Sequence, residues 1–364
     1  MKKFFILILA VTIFACTQKP AGFKIDVKLA GAEGKILLEK RGTGEWIPVD
    51  TADIVEGVAV LEGEVKYPSD MYLSVLGERA KTMVFVENAA MTVVGNVDSL
   101  DKVVVTGSLS HDEYAALSKQ INEIAEKYMA MYQESRAAIT AGDTARGRQI
   151  MEEVEKMYES TNTMREDFIK NNPASYVSPF LLSQIQYGKE AEELEALVSK
   201  FDPKLDSLAS VITIKEQIAK LKTVAVGQVA PDFTQNDVNG NPVSFSSVYS
   251  QNKLTLLDFW AAWCGPCRAE NPNVVAVYNE FNVKGFTVFG VSLDRDKEAW
   301  LKAIADDKLA WAQVSDLAYW QNAAAQTYAI QSIPSSLLVD QTGKIIAKNK
   351  RGDELRAFVA DYLK

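Results

Sequence analysis

Cysteine and histidine are the scarce residues of this 364-residue chain, which has Cys16, Cys264, Cys267 and the lone His111. Four ligands are wanted for structural zinc, and once Cys16 is taken up by lipid, as read below, only two cysteines and His111 remain, so a zinc site is nearly excluded and no metal is expected. Three cysteines are also too few for a disulfide scaffold. Long apolar runs are missing too: after residues 4–14, no segment is long enough to cross a bilayer. Positive charge is in deficit, with 39 Lys and Arg against 48 Asp and Glu and a net charge of −9. Without residues 1–15, Lys2 and Lys3 are lost and the charge is about −11, with 37 basic against 48 acidic residues. A nucleic-acid partner wants a basic face, so none is expected. With 48% hydrophobic and 24% charged residues, the chain is ordinary globular protein, long enough for two or three domains.

The N-terminus reads as a targeting segment: a basic Met1-Lys2-Lys3 precedes the apolar residues 4–14, which are too short to span. It ends in Ile13-Phe14-Ala15-Cys16, which resembles the lipobox of bacterial lipoproteins. The resemblance implies a signal peptide at 1–15, diacylation of Cys16 and a tether at 16–22. The protein would then be a periplasm-facing lipoprotein of the cell envelope, held to the membrane by lipid, with inner or outer membrane left open. The alternative is a plain secretory signal with an incidental cysteine. If Cys16 carries lipid, Cys264 and Cys267 remain as one close pair, which favours a catalytic over a structural role.

That pair lies in Trp263-Cys264-Gly265-Pro266-Cys267, after the apolar run 254–260 and before a helix-like run from Arg268 to Phe281. A thiolate at a helix N-terminus is stabilised by the helix dipole and free N–H groups. Strand, CxxC, helix is the context that makes this spacing a redox site.

Three segments follow from the periodicities. Residues 23–109 carry short alternating strands, among them 25–29, 35–39, 58–61, 71–75, 83–86 and 103–105. Glycines at 31, 42, 44, 63 and 95 read as turns, which predicts an all-β sandwich or small barrel. Residues 110–222 turn helical, with Ser110 and Glu113 as a capping box and His111 on the surface. Ile121, Ile124, Tyr128 and Met131 form one stripe, and Ile150, Val154, Met157, Thr161, Met164 and Phe168 another. A break at Ala141-Gly142-Asp143 predicts a helical hairpin whose stripes are packing surfaces. Residues 223–364 alternate strand and helix, with strands at 286–293, 336–340 and 344–347 and helices at 296–306, 319–328 and 352–363. That pattern predicts an α/β domain whose sheet is covered on both faces.

The third segment resembles the thioredoxin superfamily, and within it the TlpA-like envelope branch. The resemblance rests on Ala230-Pro-Asp-Phe233 with Asn239-Gly240, the run from Phe259 to Pro272, Val291-Ser-Leu-Asp294 and Ile333-Pro334. It covers about 140 of the 364 residues. The whole order looks like envelope thiol-disulfide proteins with an uncharacterised N-terminal β domain.

The resemblance implies a thioredoxin-like fold and a protein thiol-disulfide oxidoreductase that needs no organic cofactor or metal. Cys264 would be the exposed nucleophile and Cys267 the resolving thiol of a Cys264–Cys267 disulfide. Trp263, Gly265, Pro266 and Ile333 would contact substrate, and Pro334 would be a cis-proline, unless it is an ordinary turn proline. Asp258 occupies the buried-acid position, where it either passes a proton to and from Cys267 or is a structural, water-bonded carboxylate. Glu270 fits the family's Cys-Arg-x-Glu pattern, although a solvated helix-face carboxylate explains it equally well. Pro272 is expected to kink its helix.

Gly265-Pro266 and Ile333 favour reduction of envelope protein disulfides, with an upstream membrane electron donor. Two alternatives stand beside this reading. A peroxiredoxin-like (AhpC/TSA-like) peroxidase wants Pro and Thr where Leu257 and Ala261 stand. A partner- or glycan-binding lipoprotein would instead use residues 23–222 and carry the thioredoxin fold as a module.

Overall fold

The computed structural model describes residues 21–42 and 44–364, so Cys16 lies outside the described residues. Two compact units divide at Phe180/Leu181. The first holds β1 (Phe23–Ala30), β2 (Lys35–Arg41), β3 (Trp46–Asp53), β4 (Val58–Gly63), β5 (Ser69–Val75), β6 (Lys81–Val86), β7 (Ala90–Asn96) and β8 (Val104–Thr106). They form two four-stranded sheets, ordered β4-β1-β7-β8 and β3-β2-β5-β6. Strand alternation sends Ile25, Val27 and Leu29 from one sheet and Ile36, Leu38 and Leu73 from the other into one buried cluster. Two sheets sharing one core make a sandwich.

Two strands escaped the sequence pattern. The edge strand β3 carries Pro48 and is nowhere fully buried, so its alternation is weak. Gly95, expected in a turn, lies inside β7, where an added Cβ would meet Val103 Cγ1 at 2.7 Å.

Next come α1 (Leu109–Thr140) and α2 (Thr144–Asn171), a hairpin turning through Gly142 at φ 91°. The start of α1 differs from expectation. Ser108 is the cap, accepting the His111 N–H at 3.0 Å, and Glu113 accepts from Ser175 Oγ at 2.5 Å instead of closing a capping box on Ser110. His111 is only 8% exposed, contrary to a surface position. Its Nδ1 accepts the Phe85 N–H of edge strand β6 at 3.3 Å, covering a backbone donor that the sheet leaves unpaired.

The second unit begins inside α3 (Val177–Ile185) and continues with α4 (Ala191–Val198) and α5 (Ala209–Thr223). The helices expected as one segment at 110–222 are thus shared between the two units. Ties to the last domain account for α4 and α5. Lys348 Nζ pairs with Glu190 Oε2 at 2.6 Å, and Gln217 Nε2 donates to the Ala329 carbonyl at 3.3 Å.

Then follow β9 (Thr234–Asp237), β10 (Pro242–Ser244), α6 (Phe245–Tyr249), β11 (Leu254–Trp260), α7 (Gly265–Phe281), β12 (Phe286–Ser292), α8 (Lys297–Asp307), β13 (Ala312–Ser315), α9 (Ala323–Thr327), β14 (Ser335–Asp340), β15 (Ile345–Lys348) and α10 (Gly352–Tyr362). One seven-stranded sheet runs β10-β9-β13-β12-β11-β14-β15. Its parallel centre, β11-β12-β13, is flanked by antiparallel β14 and β9. Every residue of β11 is buried, as expected of a strand covered on both faces. The helix expected over 319–328 is broken: Asn322 caps the short α9, taking the Ala325 N–H at 3.0 Å, after a 3-10 turn at Tyr319–Gln321.

Burial holds the His111 pKa below its usual 6.5. As pH falls, the unfolded chain therefore takes up this proton first. The stability this contact contributes is present above pH 6.5 and is lost as pH drops through the folded-state value. Urea titration of the full chain should show a first-unit midpoint that falls from pH 7 to pH 5. His111→Gln should flatten that fall; an equal fall in the variant would contradict the assignment.

Candidate active site

Strand β11 delivers the chain to the site. After Trp260 the backbone leaves the sheet, and Asp294, buried just beyond β12, catches it. The Ala262 N–H donates to both Asp294 oxygens at 3.2 and 3.0 Å, and Ser292 Oγ donates to Oδ2 at 2.7 Å. Burial raises the Asp294 pKa, and these donors work against that rise. From the other side, Arg268 forks onto Asp307, with Nη2 to Oδ1 at 2.8 Å, and its Nη1 reaches the Ala262 carbonyl at 3.4 Å. Asn271 Nδ2 also donates to Asp307, at 2.6 Å. The loop before the cysteines is therefore gripped by its own N–H and C=O groups.

Cys264 is the N-cap of α7, and its Sγ accepts the Cys267 N–H at 3.2 Å. Gly265 and Pro266 occupy the first turn, where a missing N–H costs little. The two cysteines are joined in a disulfide, with Cα atoms 5.3 Å apart. Cys264 is only 4% exposed and Cys267 1%, so the expected exposed nucleophile is a correction for this oxidised form. Trp263 is the exposed neighbour at 48%. Its ring lies 5.2 Å from Tyr319 and 6.1 Å from Trp320, and its Nε1 donates to the Leu293 carbonyl at 3.3 Å.

The Ile333–Pro334 peptide is cis, at the start of β14. Arg351 Nη2 donates to the Pro334 carbonyl. Asp258 sits in β11 between Gly290 and Ser336. Its carboxyl has no direct hydrogen-bond partner among the described residues, and burial raises its pKa to about 7, with Arg351 opposing and Glu270 reinforcing the rise. Glu270 is half-buried, which corrects the solvated-carboxylate reading. Its Oε1 accepts the Gly352 N–H of α10 and Asn273 Nδ2, both at 2.8 Å. Sequence reasoning passed over Arg268, Asp307 and Arg351, because single charged residues on helices and loops carry no periodic signal. Asp294 had one: an acid ending a buried strand. Among the described residues, no cluster of three or more metal-ligating side chains occurs.

Residues 226–348 match the AhpC/TSA family. Residues 23–114 match a domain of unknown function, DUF4369. The AhpC/TSA domain is similar to Thiol-disulfide oxidoreductase ResA of Bacillus cereus, 26% identical over 40% of this chain and 81% of that protein. ResA of Geobacillus thermodenitrificans is 29% identical over 34% of this chain and 67% of that protein. Among solved structures, the thioredoxin domain of a thiol-disulfide oxidoreductase from Bacteroides vulgatus is 43% identical, covering 38% of this chain and 99% of that one, with a TM-score of 0.36. The AhpC/TSA domain has a thioredoxin-like fold and is of the thiol-disulfide oxidoreductase type.

Asp258 yields a signed prediction. Its folded-state pKa of about 7 lies above the unfolded 3.8. Its contribution to stability is thus fully present below the unfolded value and is lost as pH rises through the folded one. Asp258→Asn should exceed the native protein in stability at pH 8 by up to about 4 kcal/mol, with the gain vanishing near pH 4. Parallel stability–pH curves for the two proteins, measured by chemical denaturation, would refute this.

Proposed function

We propose that this thiol-disulfide oxidoreductase reduces protein disulfides in the cell envelope, tethered to a membrane through lipid on Cys16. The observation that carries the chemistry is the Cys264–Cys267 pair at the N-terminus of α7, with an acid of near-neutral pKa, Asp258, in the strand beneath. In the dithiol form, the Cys264 thiolate is favoured by the helix N-terminus. It attacks one sulfur of a client disulfide, forming a mixed disulfide, and the other client sulfur leaves as a thiolate and takes a proton from solvent. Cys267 then gives up its proton, with Asp258 as the acceptor, and attacks Cys264 Sγ. The client leaves as a dithiol, two electrons richer, and the domain is left as its disulfide. A membrane electron donor upstream restores the dithiol.

The cis-Pro334 loop offers backbone to an extended client, and exposed Trp263 offers a flat apolar contact. Gly265-Pro266 between the cysteines supports the reductive direction. The membrane tether is supported by the basic start, the short apolar run and Ala15-Cys16.

Purified protein kept reduced by dithiothreitol should speed insulin-disulfide reduction, lose that activity in Cys264→Ser and turn over peroxide negligibly. Full-length protein expressed in a bacterial host should partition into detergent, and Cys16→Ser should move it to the aqueous phase. Brisk peroxide turnover without insulin reduction would overturn the chemistry, and aqueous partitioning of the unaltered chain would overturn the tether.

A further inference from the structure

Within the seven-stranded sheet, one row of paired residues crosses the three parallel strands, from Asp258 on β11 through Gly290 on β12 to Gln313 on β13. Residues opposite one another in neighbouring strands point to the same face, and the strands lie about 5 Å apart. Gly290 leaves a gap in the row, and the Gln313 amide fills it. A Cβ on Gly290 would lie 2.3 Å from Gln313 Oε1 and 2.8 Å from Nε2. The amide therefore sits about one strand spacing, roughly 5 Å, from the root of the Asp258 side chain. A glycine inside a strand often marks such a close approach.

The orientation of this amide is fixed. Gln313 Oε1 accepts the Trp260 Nε1–H at 3.0 Å, which makes Nε2 the remaining donor. Nε2 is sealed from solvent and bonds to nothing among the described residues, and Gln313 is only 4% exposed. A sealed N–H without an acceptor is costly. The anionic group in the same row is Asp258, whose carboxyl also lacks a direct partner. An unpaired donor and an unpaired acceptor thus flank Gly290. On its other side Asp258 faces Ser336 of β14, a second and smaller donor. The charged groups that act on Asp258 are Arg351, which favours its ionised form, and Glu270 of α7, which opposes it.

We infer that Gln313 is a positioning residue for Asp258, its Nε2–H hydrogen-bonding the carboxylate, directly or through one water, whenever the acid ionises. Burial drives the acid toward its neutral form, and a donor to the charged form works against that drive. Gln313 thereby keeps Asp258 able to take the proton of Cys267. This rests on the proton-acceptor role in the reading above and adds the group that tunes it.

The test follows the Asp258 carboxyl carbon by carbon NMR against pH in the oxidised full-length protein, whose disulfide keeps both cysteines from titrating. Gln313→Met, close to glutamine in length and volume, should raise the titration midpoint by about one pH unit, because a hydrogen bond to a charged group is lost. The acid limb of the pH profile of kcat for insulin reduction should move up with it. Ser336→Ala should leave the midpoint in place. In the native protein, the Gln313 side-chain N–H signal should shift with the Asp258 midpoint, a measurement that serves if the methionine variant fails to fold. A midpoint unmoved in folded Gln313→Met, or moved only by Ser336→Ala, would overturn the inference while leaving the oxidoreductase reading intact. A native Gln313 signal indifferent to the ionisation of Asp258 would do the same. A midpoint that moves as expected in a protein unable to reduce insulin would instead overturn the oxidoreductase reading and leave the hydrogen bond assigned.

Discussion

Complete burial of β11 is the constraint on which the rest of the site depends. Seven consecutive residues, Leu254 to Trp260, lie at the centre of a seven-stranded sheet between parallel β12 and antiparallel β14. Hydrophobic burial on this scale fixes the height at which the chain leaves the sheet. That exit point sets where Ala262 meets Asp294 and where Cys264 caps α7. The same strand carries Asp258, whose carboxyl has little water to stabilise its charge. One structural decision therefore places the sulfurs and raises the acid beneath them.

The loop between strand and helix is held by charged groups anchored away from the cysteines. Asp294 takes the Ala262 N–H, and Arg268, itself clamped by Asp307, reaches the Ala262 carbonyl. Both polar groups of one peptide segment are thus bonded to side chains, which limits how far the first cysteine can swing. Across the site, Arg351 links the cis-proline carbonyl to the electrostatics of Asp258, and Glu270 joins α7 to α10. Substrate loop, acid and redox helix are therefore one polar framework on an apolar base.

Much of this was readable in the chain. The CxxC between a buried strand and a helix, the Ile333-Pro334 step and the acid at 258 are local patterns with direct physical meaning, and the fold class followed from alternation and helical period. Contacts between residues distant in sequence were not readable. Arg268 and Asp307 are 39 residues apart, and Glu270 and Gly352 are 82 apart, so only the fold brings each pair together. His111 illustrates the same point: polar and beside a cap, it looked exposed, yet an unpaired edge-strand N–H draws it inward. The edge strand β3 was hidden for the opposite reason, because exposure erased its alternation.

Sulfur exchange with other proteins is the chemistry this site is built for. The most direct measurement is mass spectrometry of adducts on full-length Cys267→Ser isolated from cells by acid quench, with Cys264→Ser as the parallel sample. Intermolecular disulfides joining Cys264 to cysteines of envelope proteins are expected, released by reductant and absent when Cys264 is replaced. A Cys267→Ser protein recovered with Cys264 free and no bound client would contradict that chemistry.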